Sequence, residues 1–127
     1  MIEEYLREDE GYTLLERNNL ILTSNGRVFK QKTDTEEFIE IPKSVQDNYE
    51  YMMLKAFDDN IYRFYIHDLV YLMFKGFFDL RYFRVVHKNG DTLDNSADNL
   101  EIKLKEEYIE KYGNIVNSLD GTILIME

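Results

Sequence analysis

His87 closes an apolar run that begins at Phe83, and Lys88-Asn89-Gly90-Asp91 follows at once, with Asp94-Asn95 and Asn99-Leu100 further on. Imidazole is the side chain that exchanges a proton near neutral pH, so a histidine at a strand end, beside a tight Asn-Gly turn, is a candidate base. A plainer role is equally open to it, as a polar strand-end residue bonded to its own turn. His67, the other of the two histidines, starts a helical pattern and is expected to pack beneath a sheet. No cysteine is present, which excludes disulfides and thiolate-bound zinc and leaves the redox compartment unspecified.

The elements that must position these residues are short. Leu20-Ile21-Leu22 predicts a strand, Ser24-Asn25-Gly26 its hairpin turn, and Arg27-Val28-Phe29 the return. Phe38, Ile39 and Ile41 alternate until Pro42 stops the run. Residues 49–56 and 61–66 flank Asp58-Asp59-Asn60, a second hairpin with aromatic alternation. From His67 the spacing turns helical, with Leu69, Leu72 and Met73 on one stripe and Gly76 as the stop. Residues 83–87 predict a strand, 99–104 an extended segment and 105–112 a helix. In the tail, 114–116 and 123–126 read as strands around the turn Asp120-Gly121. The expected class is α+β: a small antiparallel sheet over 20–66, a helix, then a ββα unit over 83–112. One domain spans 1–127, divided into an acidic segment (1–19), a core (20–112) and a strand-like extension (113–127).

Composition narrows the functions. A chain of 127 residues, 44% hydrophobic with one proline, buries a modest core and is not disordered by composition. Fifteen basic residues against twenty-five acidic ones give a net charge of −10. A protein that grips the phosphate backbone normally shows a basic footprint. Here the best groupings, Arg27-Lys30-Lys32 and Arg81-Arg84-Lys88, hold three charges each, so tight duplex DNA binding is not expected. The acidic residues serve solubility or form a docking surface. In the second case Glu36, Glu37 and Glu40, with Tyr49, Tyr51 and Tyr62, are the candidate binding residues. The expected partner is then a protein with a basic, nucleic-acid-binding surface. The tyrosines are equally suited to cross-strand pairing within a sheet. No segment is apolar for long enough to cross a bilayer, and the opening Met-Ile-Glu-Glu does not resemble a signal peptide. A cytoplasmic setting with no membrane partner is expected, and the oligomeric state is left open.

Over roughly residues 20–108 the chain resembles the phage-type HNH homing endonucleases. Three pieces carry the resemblance in the family's order. They are Ser24-Asn25-Gly26-Arg27-Val28 on its hairpin, the strand from Tyr49 to Leu54 leading to His67-Asp68-Leu69-Val70 with Phe74, and the run around His87. The resemblance implies a ββα-metal unit in which His87 is the general base that activates water. Asn99, twelve residues on, would orient it through backbone contacts, Gly90 would be the turn glycine, and Asn95 the asparagine that follows it. A divalent ion would polarise the scissile phosphate. Its ligands would be a carboxylate, asparagine or histidine just before the base and an asparagine or histidine on the following helix.

Two positions depart from that pattern. Val86 precedes the histidine, and Tyr108 stands nine residues beyond Asn99, where the family has asparagine or histidine. Neither suits a hard cation. Glu106 and Glu107 carry oxygen, but an adjacent helical residue points about 100° away. Without metal, a lone histidine supplies only part of the barrier reduction that phosphodiester cleavage needs. No metal at His87 and no cofactor are therefore expected, and His87 and Asn99 are catalytic only if the site is active. The expected function is a non-catalytic HNH-like binding protein of phage or mobile-element origin. It would be an acidic, DNA-mimicking inhibitor of a host defence or nucleic-acid-binding enzyme, of the anti-CRISPR or anti-restriction type. A Mg²⁺-dependent HNH nicking endonuclease is the alternative, and a virion structural or assembly protein is a further one.

Overall fold

The computed structural model describes residues 15–32 and 34–109. Their order is β1 (Leu20–Leu22), β2 (Val28–Gln31), β3 (Phe38–Glu40), β4 (Ser44–Gln46), β5 (Tyr49–Lys55), β6 (Ile61–Tyr65), α1 (Ile66–Phe74), β7 (Phe83–His87) and β8 (Leu100–Leu104). A 3₁₀ turn, Ala97–Asn99, precedes β8. A helical turn over 106–109 follows it. The chain is α+β with small antiparallel sheets, as expected. Part of the acidic N-terminal segment, the end of the helix expected over 105–112 and both tail strands lie outside the described residues.

The stretch expected as one sheet forms two, ordered β1-β2-β3 and β4-β5-β6, and a two-stranded pair β7-β8 stands apart. Pro42 explains the division: lacking an N–H, it cannot extend the first ladder. The chain leaves after Ile41, whose N–H still reaches Val28 O at 2.8 Å, and β4 opens the second sheet. Asp47 and Asn48, at φ 54° and 66°, then reverse the chain between β4 and β5. Two consecutive left-handed residues make the turn whose twist matches paired strands. Tyr51 pairs with Tyr65 across β5 and β6.

The helix α1 holds the sheets together. Ile66, Leu69, Val70 and Leu72 are all at most 2% exposed, so more than one of its faces is covered. Val28 from the first sheet, Leu54 and Phe64 from the second, and Phe83 and Leu100 from the β7-β8 pair join it in one core. Removing such a side chain from water stabilises by roughly 1.5–3 kcal/mol. Lys75 and Gly76 close the helix onto Tyr71 O, at 2.8 and 3.1 Å, with Gly76 at φ 130°. Among the described residues no helix is long and apolar enough to cross a membrane.

Candidate functional site

Strand β7 alternates. Phe83 and Val85 are buried, and His87 shares their face, while Arg84 and Val86 point the other way. That alternation brings His87 to the first turn of α1, where its ring lies 5.3 Å from His67 and 6.2 Å from Tyr49. His67 also stacks on Tyr65 at 5.2 Å and meets Tyr49 edge-on at 5.5 Å. Both histidines of the chain thus sit in one aromatic cluster, built from β5, β6, α1 and β7.

Their environments differ. His67 is 8% exposed, and its Nδ1 is buried with no hydrogen-bond partner. Burial, and secondly the charge of His87, push its pKa down to about 3, so it is neutral. Its Nε2 lies 3.3 Å from Asp68 Oδ1. Burial pushes the Asp68 carboxyl up to about 7, against the opposing pull of Lys105.

His87 is held by polar partners. Its Nε2 is 2.7 Å from Asn95 Oδ1. Asn95 is 2% exposed and donates from Nδ2 to Glu50 Oε1 at 2.7 Å. Lys43 Nζ lies 3.3 Å from that same oxygen and donates to Gly26 O at 2.6 Å. Gly26, at φ 81°, lies so close that an added Cβ would stand 2.8 Å from Asn95 Cβ. The Ala97 N–H donates to Ser24 O at 2.7 Å, tying the hairpin turn to the loop that carries Asn95.

Asn99 acts on the turn after His87 rather than on the ring. Its Oδ1 accepts the Asn89 N–H at 3.1 Å, its Nδ2 donates to Asn89 Oδ1 at 3.0 Å and to Asp94 O at 2.8 Å, and its carbonyl accepts the Lys88 N–H at 2.7 Å. The Asp94 carboxylate is held below its ordinary range by hydrogen bonds from Ser96, with Asn89 and the charge of His87 adding less. The residues that reach the ring through hydrogen bonds are Asn95, Glu50 and Lys43. Of these, only Asn95 stands within the sequence motif around His87; Glu50 and Lys43 lie far from it along the chain.

The divalent ion implied by the HNH resemblance does not fit the residues at its two ligand positions. Val86 is aliphatic and lies opposite Glu101, whose carboxylate is 3.9 Å from Lys103 Nζ. The Tyr108 ring meets Tyr82 edge-on at 5.1 Å and packs against the core. Glu106 is 3.8 Å from Arg84 with its side chain 86% exposed, and Glu107 is exposed. Among the described residues no three histidine, aspartate or glutamate side chains converge as a metal-binding group.

The six candidate contact residues are spread over the loop before β3 (Glu36 and Glu37), β3 (Glu40) and the second sheet (Tyr49, Tyr51 and Tyr62). Glu40 is bound through both oxygens by Arg27, at 3.0 and 2.7 Å. Glu37 pairs with Lys32 at 3.3 Å, and Glu36 is exposed. Tyr49 belongs to the histidine cluster, the Arg63 guanidinium lies 5.0 Å over the Tyr51 ring, and Tyr62 bonds to Asp58.

No family model and no curated protein matches the chain. Among solved structures it is similar to one described as DNA binding and cleavage by the HNH homing endonuclease I-HmuI, with 19% identity and a TM-score of 0.54. The match covers 84% of this chain and 56% of that one, so this chain spans little more than half the length of the protein it resembles. The likeness is one of fold.

Proposed function

We propose that this chain is a non-catalytic binding module built on an HNH-like fold, with a basic protein surface as its target. The observation that carries the reading is the filling of both metal positions. Val86 has no lone pair, and the Tyr108 ring is committed to Tyr82. Phosphodiester cleavage without a cation to stabilise the leaving oxygen forgoes several kcal/mol of transition-state stabilisation. The net charge of −10 supports a partner that is itself basic, and opposes a phosphate backbone. A DNA-mimicking inhibitor of a host nucleic-acid enzyme is the finer form of this proposal. Its support is the charge alone.

Calorimetric titration with Mg²⁺ and Mn²⁺, paired with a pull-down from host lysate, tests it. No cation heat and capture of a basic protein are expected. Saturable cation binding lost in a His87→Ala or Asn99→Ala variant would overturn it. One observation favours the second reading, a metal-dependent nicking enzyme: His87 is held through Nε2 by the chain Asn95–Glu50–Lys43, an arrangement suited to a general base.

A further inference from the structure

We infer that Lys43 and Glu50, acting through Asn95, hold neutral His87 as a single tautomer with its proton on Nε2 and its lone pair on Nδ1. The partly buried Glu50 carboxylate sets the direction of the chain. Glu50 Oε1 faces Lys43 Nζ at 3.3 Å and Asn95 Nδ2 at 2.7 Å. A carboxylate paired with a lysine only accepts, so Asn95 must turn its NH₂ end toward it. The other end of the amide is then oxygen, and it lies 2.7 Å from His87 Nε2. An amide oxygen also only accepts, so the ring nitrogen must donate.

Turning the amide over, as the other tautomer of the ring would require, sets oxygen against carboxylate and forfeits the bond to Glu50. Little solvent is present to soften that loss, because the Lys43 and Glu50 side chains are 14% and 17% exposed and Asn95 is 2% exposed. Lys43 is fixed in turn by Gly26 O, so the hairpin turn, the loop at Asn95 and the start of β5 set the ring together. The other titratable groups near the ring are His67, Tyr49 and Asp94. Among the described residues, Asn95 is the hydrogen-bond partner of Nε2 and Nδ1 has none. Nδ1 is therefore left to accept an O–H or N–H from a water or a ligand. Glu50 is a positioning residue in this scheme, whether the site cleaves or only binds.

The test is spectroscopic and independent of activity. In the full ¹⁵N-labelled chain, long-range proton–nitrogen correlations of the imidazoles are recorded at about pH 8, above the ordinary histidine range. The unsubstituted protein should show His87 with a slowly exchanging proton on Nε2 and an unprotonated Nδ1. A proton on Nδ1, or averaged nitrogens, would overturn the inference. Glu50→Leu should average the two nitrogens, and Glu50→Gln, whose amide oxygen accepts from the same two donors, should restore the original pattern. A folded Glu50→Leu protein with the unsubstituted pattern would remove Glu50 from the scheme. If Glu50→Leu does not fold, Lys43→Met replaces it. Roughly tenfold faster exchange of the Nε2 proton is then expected, as for loss of a charge-assisted bond, and unchanged exchange would overturn the role of the pair.

Discussion

Asn95 stands between His87 and Glu50, with its oxygen 2.7 Å from the ring Nε2 and its nitrogen 2.7 Å from the carboxylate. A neutral amide thereby transmits the polarity of a largely buried ion pair to an imidazole. On the proposed reading, the half of the site that orients a histidine is kept, and Val86 and Tyr108 occupy the half that would hold a cation.

Gly26→Ala should destabilise the protein by roughly 1–3 kcal/mol, since the new Cβ meets both a left-handed backbone and a packed neighbour. The site leaves it 2.8 Å from Asn95 Cβ at φ 81°. Chemical denaturation measures the loss, and the His87 imidazole signals should shift in the same variant. A neutral effect on both would show that the turn and the Asn95 loop are not one unit.

Stability against pH should separate His67 from Asp68. His67 titrates near 3 when folded against 6.5 when unfolded. Its contribution is therefore complete above 6.5 and is lost as pH falls toward 3. Asp68 titrates near 7 when folded against 3.8 when unfolded. Its contribution is complete below 3.8 and is lost as pH rises through 7. The two slopes oppose each other between 3.8 and 6.5. In His67→Phe, which keeps a ring on Tyr65, the Asp68 slope stands alone. Its stability relative to the parent should rise by up to about 1.4 kcal/mol per pH unit as pH falls through that window. Parallel curves for the two proteins would contradict this.

Much of the fold was legible because its signals are local. Alternation marks the strands at Phe38, Tyr49 and Ile61, apolar runs ending in turns mark those at Leu20 and Phe83, and helical spacing after His67 marks α1. The strand Ser44–Gln46 was missed because it is three residues long and exposed throughout. Asp47-Asn48 carried a usable signal, since both residue types tolerate the left-handed turn that starts β5. The site was less legible. Glu50 lies 45 residues from Asn95, and between two tyrosines it reads as an ordinary solvent-facing charge. His67 was expected beneath the sheet, where it is. Its approach to His87 depends on how β7 packs against α1, which no local pattern encodes. The acidic cluster read as free charge, yet Arg27 and Lys32 engage two of its carboxylates.

Glu36 is therefore the test of the docking surface. Glu36→Lys should weaken binding to the captured partner by roughly three- to tenfold and flatten its salt dependence, as loss of a rim charge does. Glu40→Lys should instead lower stability slightly by leaving Arg27 unpaired. Unchanged affinity and salt slope in Glu36→Lys would place the interface elsewhere.

Grafting ligands should restore the missing half. Val86→Asp with Tyr108→Asn places an oxygen donor at each of the two ligand positions that the HNH resemblance implies and leaves the histidine network intact. Saturable Mn²⁺ binding by calorimetry is expected in the double variant and absent from the parent. A double variant that folds without binding Mn²⁺ would show that the backbone itself has lost the metal geometry.

The most direct measurement is plasmid nicking by the unsubstituted protein with Mg²⁺ or Mn²⁺. The account predicts that supercoiled plasmid stays intact at rates matching a protein-free control. Metal-dependent nicking that disappears in His87→Ala would contradict it and make the chain an active HNH endonuclease.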